Sequence, residues 1–428
     1  MLKQWFTGPF WRRVLVAFVL GAGLGLALNT YGQPESPSML YTALTNFAKG
    51  AGDLFIHAIK MLVVPLVLFS IISSITSVGQ QGIGRMGVKT ISMFLTTALI
   101  ASGIGLLIGS LMNFETNIAL VAGEQKIKHI PPVHEVLTNI IPTNPFRALM
   151  EGNILQIVFM AVLIGLSINA LKEKAAPAKR FFEVGTEIMY QITRYVLQLT
   201  PIGVFGLMAW MLSQLGIEAL YPLVQFIVAI YIACFIHIFL IYGGFVKVFT
   251  NTKLIDFYRH IFPAQLVAYT TASSYGTLPA TTKAVESLGV KKKYSSFILP
   301  LGATINMDGC GGIYPAIAAI FIAHIFQVPL EFTDYILIAL TATLASVGTA
   351  GVPGTAMVML TVTLNVVGLP LEGIAYIAAI DRIIDMMRTA TNITGDAMVS
   401  LVIHETEERV ALREPSSVST KEGQPSSN

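Results

Sequence analysis

DRIIDMMRTATNITGD, residues 381–396, places charged and polar side chains at helical spacing inside an apolar region. At about 100° per residue, five of them fall within about 80° of one another on one helix face. These five are Asp381, Asp385, Arg388, Asn392 and Asp396. A charge at the centre of a membrane helix costs about 2.5–3.5 kcal/mol on insertion scales. The stripe therefore indicates a cavity, an ion or paired partners. A structural ion-pair network is the alternative, and Arg382 points away from the stripe.

The composition places this helix in a membrane protein. The chain has 428 residues, of which 54% are hydrophobic and 12% charged, whereas soluble domains are about 25% charged. The net charge of +3 is too weak and scattered for nucleic-acid binding. The two cysteines, Cys234 and Cys310, predict neither a disulfide framework nor a CxxC metal site.

Several uncharged runs before this helix have the length of a membrane span, about 20 residues. They are Val14–Pro34, Met61–Gly84, Thr90–Asn113, Ile154–Leu171, Tyr195–Gly216 and Ala219–Val246. Arg12 and Arg13 precede the first run, so the positive-inside rule predicts a cytoplasmic N-terminus.

Two further uncharged runs predict re-entrant hairpins instead of simple spans. Residues 261–282 contain SSYGTLP at their middle, and residues 336–371 contain SVGTAGVPG. A straight helix of the second run would reach about 54 Å, beyond the hydrocarbon core of about 30 Å. Glycine and proline break helices at such points. Two hairpins that enter from opposite faces form an inverted repeat, which predicts a transporter with substrate bound near the midplane.

A second polar motif, NMDG at residues 306–309, lies in the apolar segment between the hairpins. Asn and Asp beside Gly predict an unwound turn, whose oxygens suit a hard cation. A helix kink with a paired Asp is the alternative. His237 and His324 are lone histidines in apolar runs, and we expect them to pack or to bond to the backbone. No glycine-rich loop with Lys-Ser/Thr supports ATP-driven transport.

Together these residues resemble the dicarboxylate/amino acid:cation symporter family, the glutamate/aspartate transporter family, in its sodium-coupled type. The motifs that carry the resemblance are Ser273-Ser274, NMDG, GVPG at residues 351–354 and the polar stripe of residues 385–396. The resemblance implies an all-α polytopic membrane protein with eight transmembrane helices, two re-entrant helical hairpins and inverted repeats. It also implies a homotrimer in the membrane lipid of the cell inner (plasma) membrane, with both termini cytoplasmic.

In such a family, a transport domain slides across the membrane against a scaffold. By analogy, residues 1–85 and 114–217 would form the scaffold and trimerisation domain. Residues 86–113 and 218–413 would form the transport domain. The transport domain would hold hairpin one (about 257–290), helix seven (about 294–328), hairpin two (about 334–370) and helix eight (about 372–410). Residues 414–428 are expected to be a disordered tail.

The resemblance also implies residue roles. Arg388 would bind the side-chain carboxylate of the substrate, Asp385 and Thr389 its amino group, and Asn392 its α-carboxylate. The remaining substrate residues would be Ser273, Ser274, Met307, Cys310, Val352 and Gly354. One sodium site would use Gly302, Asn306, Asn392 and Asp396. A second would use Thr304, Met307, Ser346, Val347 and Thr349, and a third Thr96, Thr97, Asn306 and Asp308.

The chain departs from this family at several positions. Relatives place an extra Arg either where this chain has Ala272 or where it has Met386, so the cation that balances Asp385 is open. Tyr275, Cys310 and Met93 replace a serine, a threonine and a tyrosine, which leaves the substrate and the third ion open. Asp396 is retained, which favours sodium over the proton-coupled relatives that often carry Asn there.

The leading interpretation is a secondary active symporter that couples inward sodium flow to uptake of glutamate or aspartate, with no cofactor besides Na⁺ as coupling ion. A proton-coupled glutamate or C4-dicarboxylate symporter is the alternative, although Asp385 calls for an ammonium group on the substrate. Asp381 and Asp385 lie one turn apart on one helix, which argues against an intramembrane aspartyl protease, so we expect no enzyme. A pure anion channel would not need Asp385 or NMDG.

Overall fold

The computed structural model describes residues 10–31, 38–80, 85–112, 114, 141–349 and 355–411. Within these ranges the regular elements are helices, with no strands. The first seven are α1 (Phe10–Tyr31), α2 (Met39–Gln80), α3 (Arg85–Leu111), α4 (Pro145–Glu151), α5 (Ile154–Leu171), α6 (Ala176–Leu197) and α7 (Thr200–Leu215). An all-helical fold is therefore confirmed.

The second half of the chain is more interrupted. Its α-helices are α8 (Tyr221–Ile236), α9 (Gly243–Phe249), α10 (Leu254–Thr271), α11 (Ser274–Ser287), α12 (Lys292–Ile305), α13 (Tyr314–Ile325), α14 (Phe332–Gly348), α15 (Thr355–Val366), α16 (Glu372–Ala378) and α17 (Asp381–Ala411). Two π-helices interrupt this series. The first π-helix (His237–Tyr242) joins α8 to α9, and the second π-helix (Asp308–Ile313) precedes α13.

Six stretches of the described chain are long and apolar enough to cross a membrane. They are Arg12–Tyr31, Met39–Thr76, Arg85–Leu111, Gln156–Leu197, Tyr221–Phe249 and Lys292–Ile325. The helix α2 has 42 residues, far more than the expected second span, because it continues through Lys49, Asp53 and Lys60. An uncharged run reveals only the apolar part of a helix. Helix α17 is not one of these six stretches, because it carries the polar stripe.

The helices pack in two neighbourhoods. Helix α1 packs on α7, and α2 packs on α5, α6 and α7. Separately, α17 packs on α8, α10, α11, α12 and the second π-helix, while α3 packs on α8, α13, α14 and the second π-helix. Contacts of α2 with α14 and α15, and of α7 with α16, connect the two neighbourhoods.

Both expected hairpins contain paired helices. Helix α10 packs on α11, and only Ala272 and Ser273 separate them. Ala272 ends α10 in the left-handed conformation, with φ 50°, and Ser273 caps α11 by accepting a hydrogen bond from the Gly276 amide at 3.1 Å. Helix α14 packs on α15 in the second hairpin. The GVPG motif at 351–354 lies outside the described residues.

The expected eighth span, about 372–410, is two helices. Helix α16 ends at Ala378, and α17 begins at Asp381 after a turn in which the Ile380 amide donates to the Ile377 carbonyl at 3.0 Å. This turn places Asp381 in the first turn of α17, where a carboxylate interacts favourably with the positive end of the helix dipole.

Candidate functional site

The site is built around the break between α12 and the second π-helix. Asn306 and Met307 have non-helical backbone angles, so the NMDG motif does form an unwound turn. Ser346 of α14 holds this turn from the second hairpin. Its hydroxyl accepts from the Met307 amide at 3.0 Å and donates to the Ile305 carbonyl at 3.4 Å. The backbone groups freed by the break are thereby partly satisfied.

The polar stripe of α17 faces this turn from inside the protein. All five members of the stripe are buried. Arg388 is fully buried, and its Nη2 donates to Asp381 at 2.8 Å and to Asp385 at 3.1 Å. Its guanidinium carbon lies 4.0 Å from the centre of the Tyr314 ring, a cation–π geometry. The Nε and Nη1 atoms have no hydrogen-bond partner among the described residues, so they are available to an anionic ligand.

Asn392 connects the stripe to the turn. Its Oδ1 accepts from the Gly309 amide at 2.7 Å, and its Nδ2 lies 3.2 Å from both the Met307 and Cys310 sulfurs. The Cys310 sulfur in turn lies 3.8 Å from Asp385 Oδ1. Gly309 is required here because a Cβ would lie 2.6 Å from the Arg388 carbonyl oxygen. Five of the expected substrate residues therefore meet: Met307, Cys310, Asp385, Arg388 and Asn392. Thr389 is buried on the same helix.

Side-chain oxygen atoms of Asn306, Asp308 and Asp396 lie close together at the NMDG turn. Asn306 Nδ2 donates to Asp396 Oδ1 at 2.9 Å, and Gly302 packs directly on the Asp396 carboxylate. The Asn306 Oδ1 and Asp308 Oδ1 atoms are buried without a hydrogen-bond partner in the described ranges. Buried, unpartnered amide and carboxylate oxygens are the ligands that hard cations prefer, so this cluster is able to hold an ion.

Other expected ion ligands are less clearly placed. Thr97 is buried, but Thr96 is exposed and its hydroxyl donates to the Ser92 carbonyl at 2.7 Å. The Thr304 hydroxyl pairs with that of Tyr275 at 3.0 Å. Ser346 and Thr349 are buried, while the Val347 carbonyl accepts from Ser74 of α2 at 3.3 Å.

The remaining expected substrate residues belong to the two hairpins. Ser273 caps α11, and Ser274 is buried in the first turn of that helix. Val352 and Gly354 lie outside the described residues. Their expected substrate contacts stay predictions.

Two residues near Asp308 were missed by sequence reasoning. The Tyr242 hydroxyl donates to Asp308 Oδ2 at 2.8 Å, and His237 Nε2 lies 3.1 Å from the same oxygen. His237 is packed, as expected, with its ring centre 4.5 Å from that of Tyr242, but its hydrogen-bond partner is the Asp308 side chain. His324 bonds to the Ile320 carbonyl at 2.9 Å. Only the five-residue spacing of His237 and Tyr242 could have signalled the pair, and it has meaning only in a π-helix.

The comparison with known proteins agrees with this geometry. The family model described as the sodium:dicarboxylate symporter family matches residues 10–406. A proton/sodium-glutamate symport protein of Geobacillus stearothermophilus is 33% identical over 408 residues, covering 92% of this chain and 94% of the relative.

Two other relatives match over similar lengths. The proton/glutamate-aspartate symporter of Escherichia coli is 34% identical over 405 residues, 91% of each chain. The C4-dicarboxylate transport protein of Rhizobium johnstonii is 30% identical over 406 residues, covering 92% of this chain and 89% of the relative. From the family match across nearly the whole chain, together with the polar stripe and the NMDG turn that the fold brings together, it follows that this chain belongs to the sodium:dicarboxylate symporter family and is a membrane transporter, not an enzyme.

Proposed function

We propose that this symporter couples inward sodium flow to the uptake of glutamate or aspartate. The observation that carries the proposal is the arrangement around Arg388. Two of its guanidinium nitrogens lack hydrogen-bond partners in the described chain, and Asp385 lies beside it. A guanidinium matches a carboxylate. Asp381 and Asp385 both pair with Arg388 in the described chain, so two buried carboxylates share one cation and an ammonium group would balance the second. A substrate that carries both a carboxylate and an ammonium group satisfies both.

In this proposal Arg388 binds the substrate's side-chain carboxylate, and Asp385 with Thr389 binds its ammonium group. Asn392 contributes to the α-carboxylate site together with the hairpin backbones near Ser274 and Val352. The remaining proposed contacts are Ser273, Met307, Cys310 and Gly354.

Sodium is proposed as the coupling ion because of the oxygen cluster beside the turn. Asp396, Asn306 and Asp308 supply carboxylate and amide oxygens, of which Asn306 Oδ1 and Asp308 Oδ1 have no hydrogen-bond partner in the described chain. Gly302 packs on the Asp396 carboxylate. The remaining proposed ligands are Gly302, Thr96, Thr97, Thr304, Met307, Ser346, Val347, Thr349 and Asn392. Relatives named for proton coupling and for C4-dicarboxylates make a proton-coupled or dicarboxylate symporter the second candidate.

The test is uptake of radiolabelled L-aspartate, L-glutamate and succinate into proteoliposomes under an imposed sodium gradient or an imposed proton gradient. We expect a sodium gradient alone to drive uptake of the amino acids. Uptake driven only by protons would overturn sodium coupling. A preference for succinate over both amino acids would overturn the substrate assignment.

Asp385→Asn tests the ammonium partner directly. Because this change removes the charge that faces the ammonium group, we expect aspartate uptake to fall by about 30-fold or more, the usual effect of deleting one partner of a buried charge pair. Succinate, which has no ammonium group, should lose much less. Asp381→Asn is the matched control, since Asp381 also binds Arg388 but is not proposed to touch substrate. An equal loss of both substrates in Asp385→Asn would contradict the assignment.

The transport cycle is proposed to be an elevator motion within a homotrimer. The packing of α1, α2, α5, α6 and α7 on one another supports a scaffold, and the packing of α3 and α8–α17 around the site supports a moving unit. Both termini are proposed to be cytoplasmic, in the inner membrane.

Two experiments test the trimer and the motion. Native mass spectrometry should give three subunits. A disulfide between Ser74→Cys and Val347→Cys should stop uptake until it is reduced. Unimpaired uptake by the cross-linked protein would contradict the motion.

A further inference from the structure

The two oxygens of the Asp308 carboxylate have different surroundings. Oδ2 accepts the Tyr242 hydroxyl at 2.8 Å and lies 3.1 Å from His237 Nε2. Oδ1 is equally buried and has no hydrogen-bond partner in the part of the chain that the structure describes. All three side chains are inaccessible to solvent. One oxygen is therefore fixed by two partners, and the other is left for a ligand.

The first π-helix makes this arrangement possible. In an α-helix, residues 237 and 242 would point about 140° apart. In a π-helix, five residues close one hydrogen-bonded turn, so both side chains lie on the same side of the element. Their ring centres are 4.5 Å apart, with the rings at 71°. The bulge thus brings an imidazole and a phenol to a single carboxylate oxygen.

Two neighbouring residues contact the bulge and its side chains. The Tyr258 hydroxyl of α10 donates to the carbonyl of Ile238, inside the first π-helix, at 2.8 Å. On α17, Gly395 leaves room for the Tyr242 hydroxyl, because a Cβ there would lie 2.5 Å from that oxygen and 3.0 Å from Asn306 Nδ2. The Tyr242 hydroxyl therefore sits next to the Asn306 side chain as well as Asp308.

The hydrogen-bond roles follow from the chemistry of the groups. An ionised carboxylate only accepts, so His237 donates through Nε2. His237 Nδ1 is buried with no partner among the described residues, which suits the neutral tautomer without a proton on Nδ1. Asp308 Oδ1 has no such donor in the described chain and remains available to an ion.

We propose that His237 and Tyr242 are positioning residues that aim Asp308 Oδ1, together with Asn306 Oδ1, at the coupling cation. This inference rests on the proposed sodium coupling and assigns a role to two residues outside the expected ligand sets. Partners that orient a ligand typically change metal affinity by about 10- to 100-fold when removed. The pair sets how tightly the ion binds without touching the ion or the substrate.

The experiment measures the sodium concentration that gives half-maximal aspartate uptake in proteoliposomes. For Tyr242→Phe, which removes one hydroxyl, we expect that concentration to rise about tenfold while the maximal rate at saturating sodium stays near wild type. His237→Ala should shift it at least as far, and His237→Gln, which retains an N–H donor, should recover part of the shift. Tyr258→Phe is the matched control, since it removes a hydroxyl bound to the same π-helix but not to Asp308.

A second measurement does not depend on transport. Sodium added to the detergent-solubilised protein without substrate should raise its melting temperature, and the concentration required should rise in Tyr242→Phe. Unchanged sodium dependence in Tyr242→Phe and His237→Ala would overturn the positioning role alone. An equal shift in Tyr258→Phe, or a lower maximal rate at unchanged sodium dependence, would also overturn it. Wild-type protein that responds to sodium in neither measurement would overturn sodium coupling and this inference together.

Discussion

At the scale of single residues, Arg382 makes contacts that the sequence alone did not predict. It lies outside the buried stripe, and its two terminal nitrogens donate to the Thr270 and Thr271 carbonyls at 3.0 and 3.3 Å. These carbonyls end α10, where helical partners are missing. A cation also suits the negative end of a helix dipole. Arg382 therefore fixes the tip of hairpin one to α17, one turn from Asp385.

Arg382→Ala should loosen that tip without removing a proposed ligand. We expect the KM for aspartate to rise about three- to tenfold, in line with the loss of a charge-assisted hydrogen bond at a partly exposed site. The KM of Arg382→Lys, which retains the charge but not the forked geometry, should lie between the values of the wild type and Arg382→Ala. The measurement is the concentration dependence of aspartate uptake at saturating sodium. A KM equal to that of the wild type in Arg382→Ala would show that the contact does not matter for binding.

At the scale of elements, the site depends on how closely the second π-helix approaches α17. Gly309 meets the Arg388 backbone, and Gly311 meets the Ser346 backbone of α14. A backbone cannot move aside as a flexible side chain can, so a methyl group at either position displaces a whole helix. The small residues of this π-helix thus set the spacing between the turn, α17 and hairpin two.

Gly309→Ala should therefore abolish aspartate uptake while Gly103→Ala does not. A Cβ at Gly103 of α3 would meet nothing within 4 Å, so this change tests only the general effect of a Gly→Ala substitution in a helix. Such a substitution alone is stabilising by about 1 kcal/mol. Overpacking at Gly309 should instead cost about 1–3 kcal/mol. Uptake and thermal unfolding of the two variants are compared, and normal uptake by Gly309→Ala would refute the close packing.

The elements also show what could be predicted from the sequence. The stripe of α17 and the broken NMDG segment were predictable because helical periodicity and glycine placement are local properties. The two π-helices were not, since a change of hydrogen-bond register leaves no compositional signal. The packing of His237 and the outward direction of Arg382 were predictable, but their hydrogen-bond partners were not, since Asp308 and the Thr270 and Thr271 carbonyls belong to other elements. Thr96 is exposed, and its expected ion contact stays a prediction.

At the scale of the whole molecule, the end of α17 ties several distant elements together. Glu407 pairs with Lys89 and with Arg85 of α3, the latter at 3.0 Å. Glu408 pairs with Lys291 and accepts the Tyr294 hydroxyl at 3.1 Å. Glu405 accepts from the Asn251 amide at 2.9 Å. The last turns of α17 thereby hold α3, the start of α12 and the turn before α10 as one unit.

The pKa of Glu407 makes this connection dependent on pH. Burial alone would raise the pKa, but hydrogen bonds from Lys89 and Arg85 outweigh it and lower the pKa below its ordinary value. The ionised form therefore stabilises the fold fully above the unfolded-state pKa of about 4.3. That stabilisation is lost as the pH falls through the lower pKa of the folded state.

Glu407→Gln should reduce the free energy of unfolding by about 0.5–1 kcal/mol at pH 7, the range of partly exposed ion pairs. The difference from the wild type should shrink in high salt and vanish at a pH below the folded-state pKa, because the wild-type carboxylate is then protonated as well. Melting temperatures in detergent at several pH values measure this. A difference that persists in acid would mean that the glutamate acts by packing and not by its charge.

One feature of the site has a thermodynamic consequence for transport. Asn392 touches Gly309 and Met307 of the turn that carries the proposed ion ligands, and also Cys310 beside Asp385. A single side chain thus belongs to both the proposed ion site and the proposed substrate site. The free energy of binding at one site therefore depends on whether the other is occupied. Such dependence is reciprocal: if sodium strengthens aspartate binding by a given factor, aspartate strengthens sodium binding by the same factor. Under the proposed sodium coupling, this shared amide would let either gradient drive the other, so outflow of the amino acid would also carry sodium out of the cell.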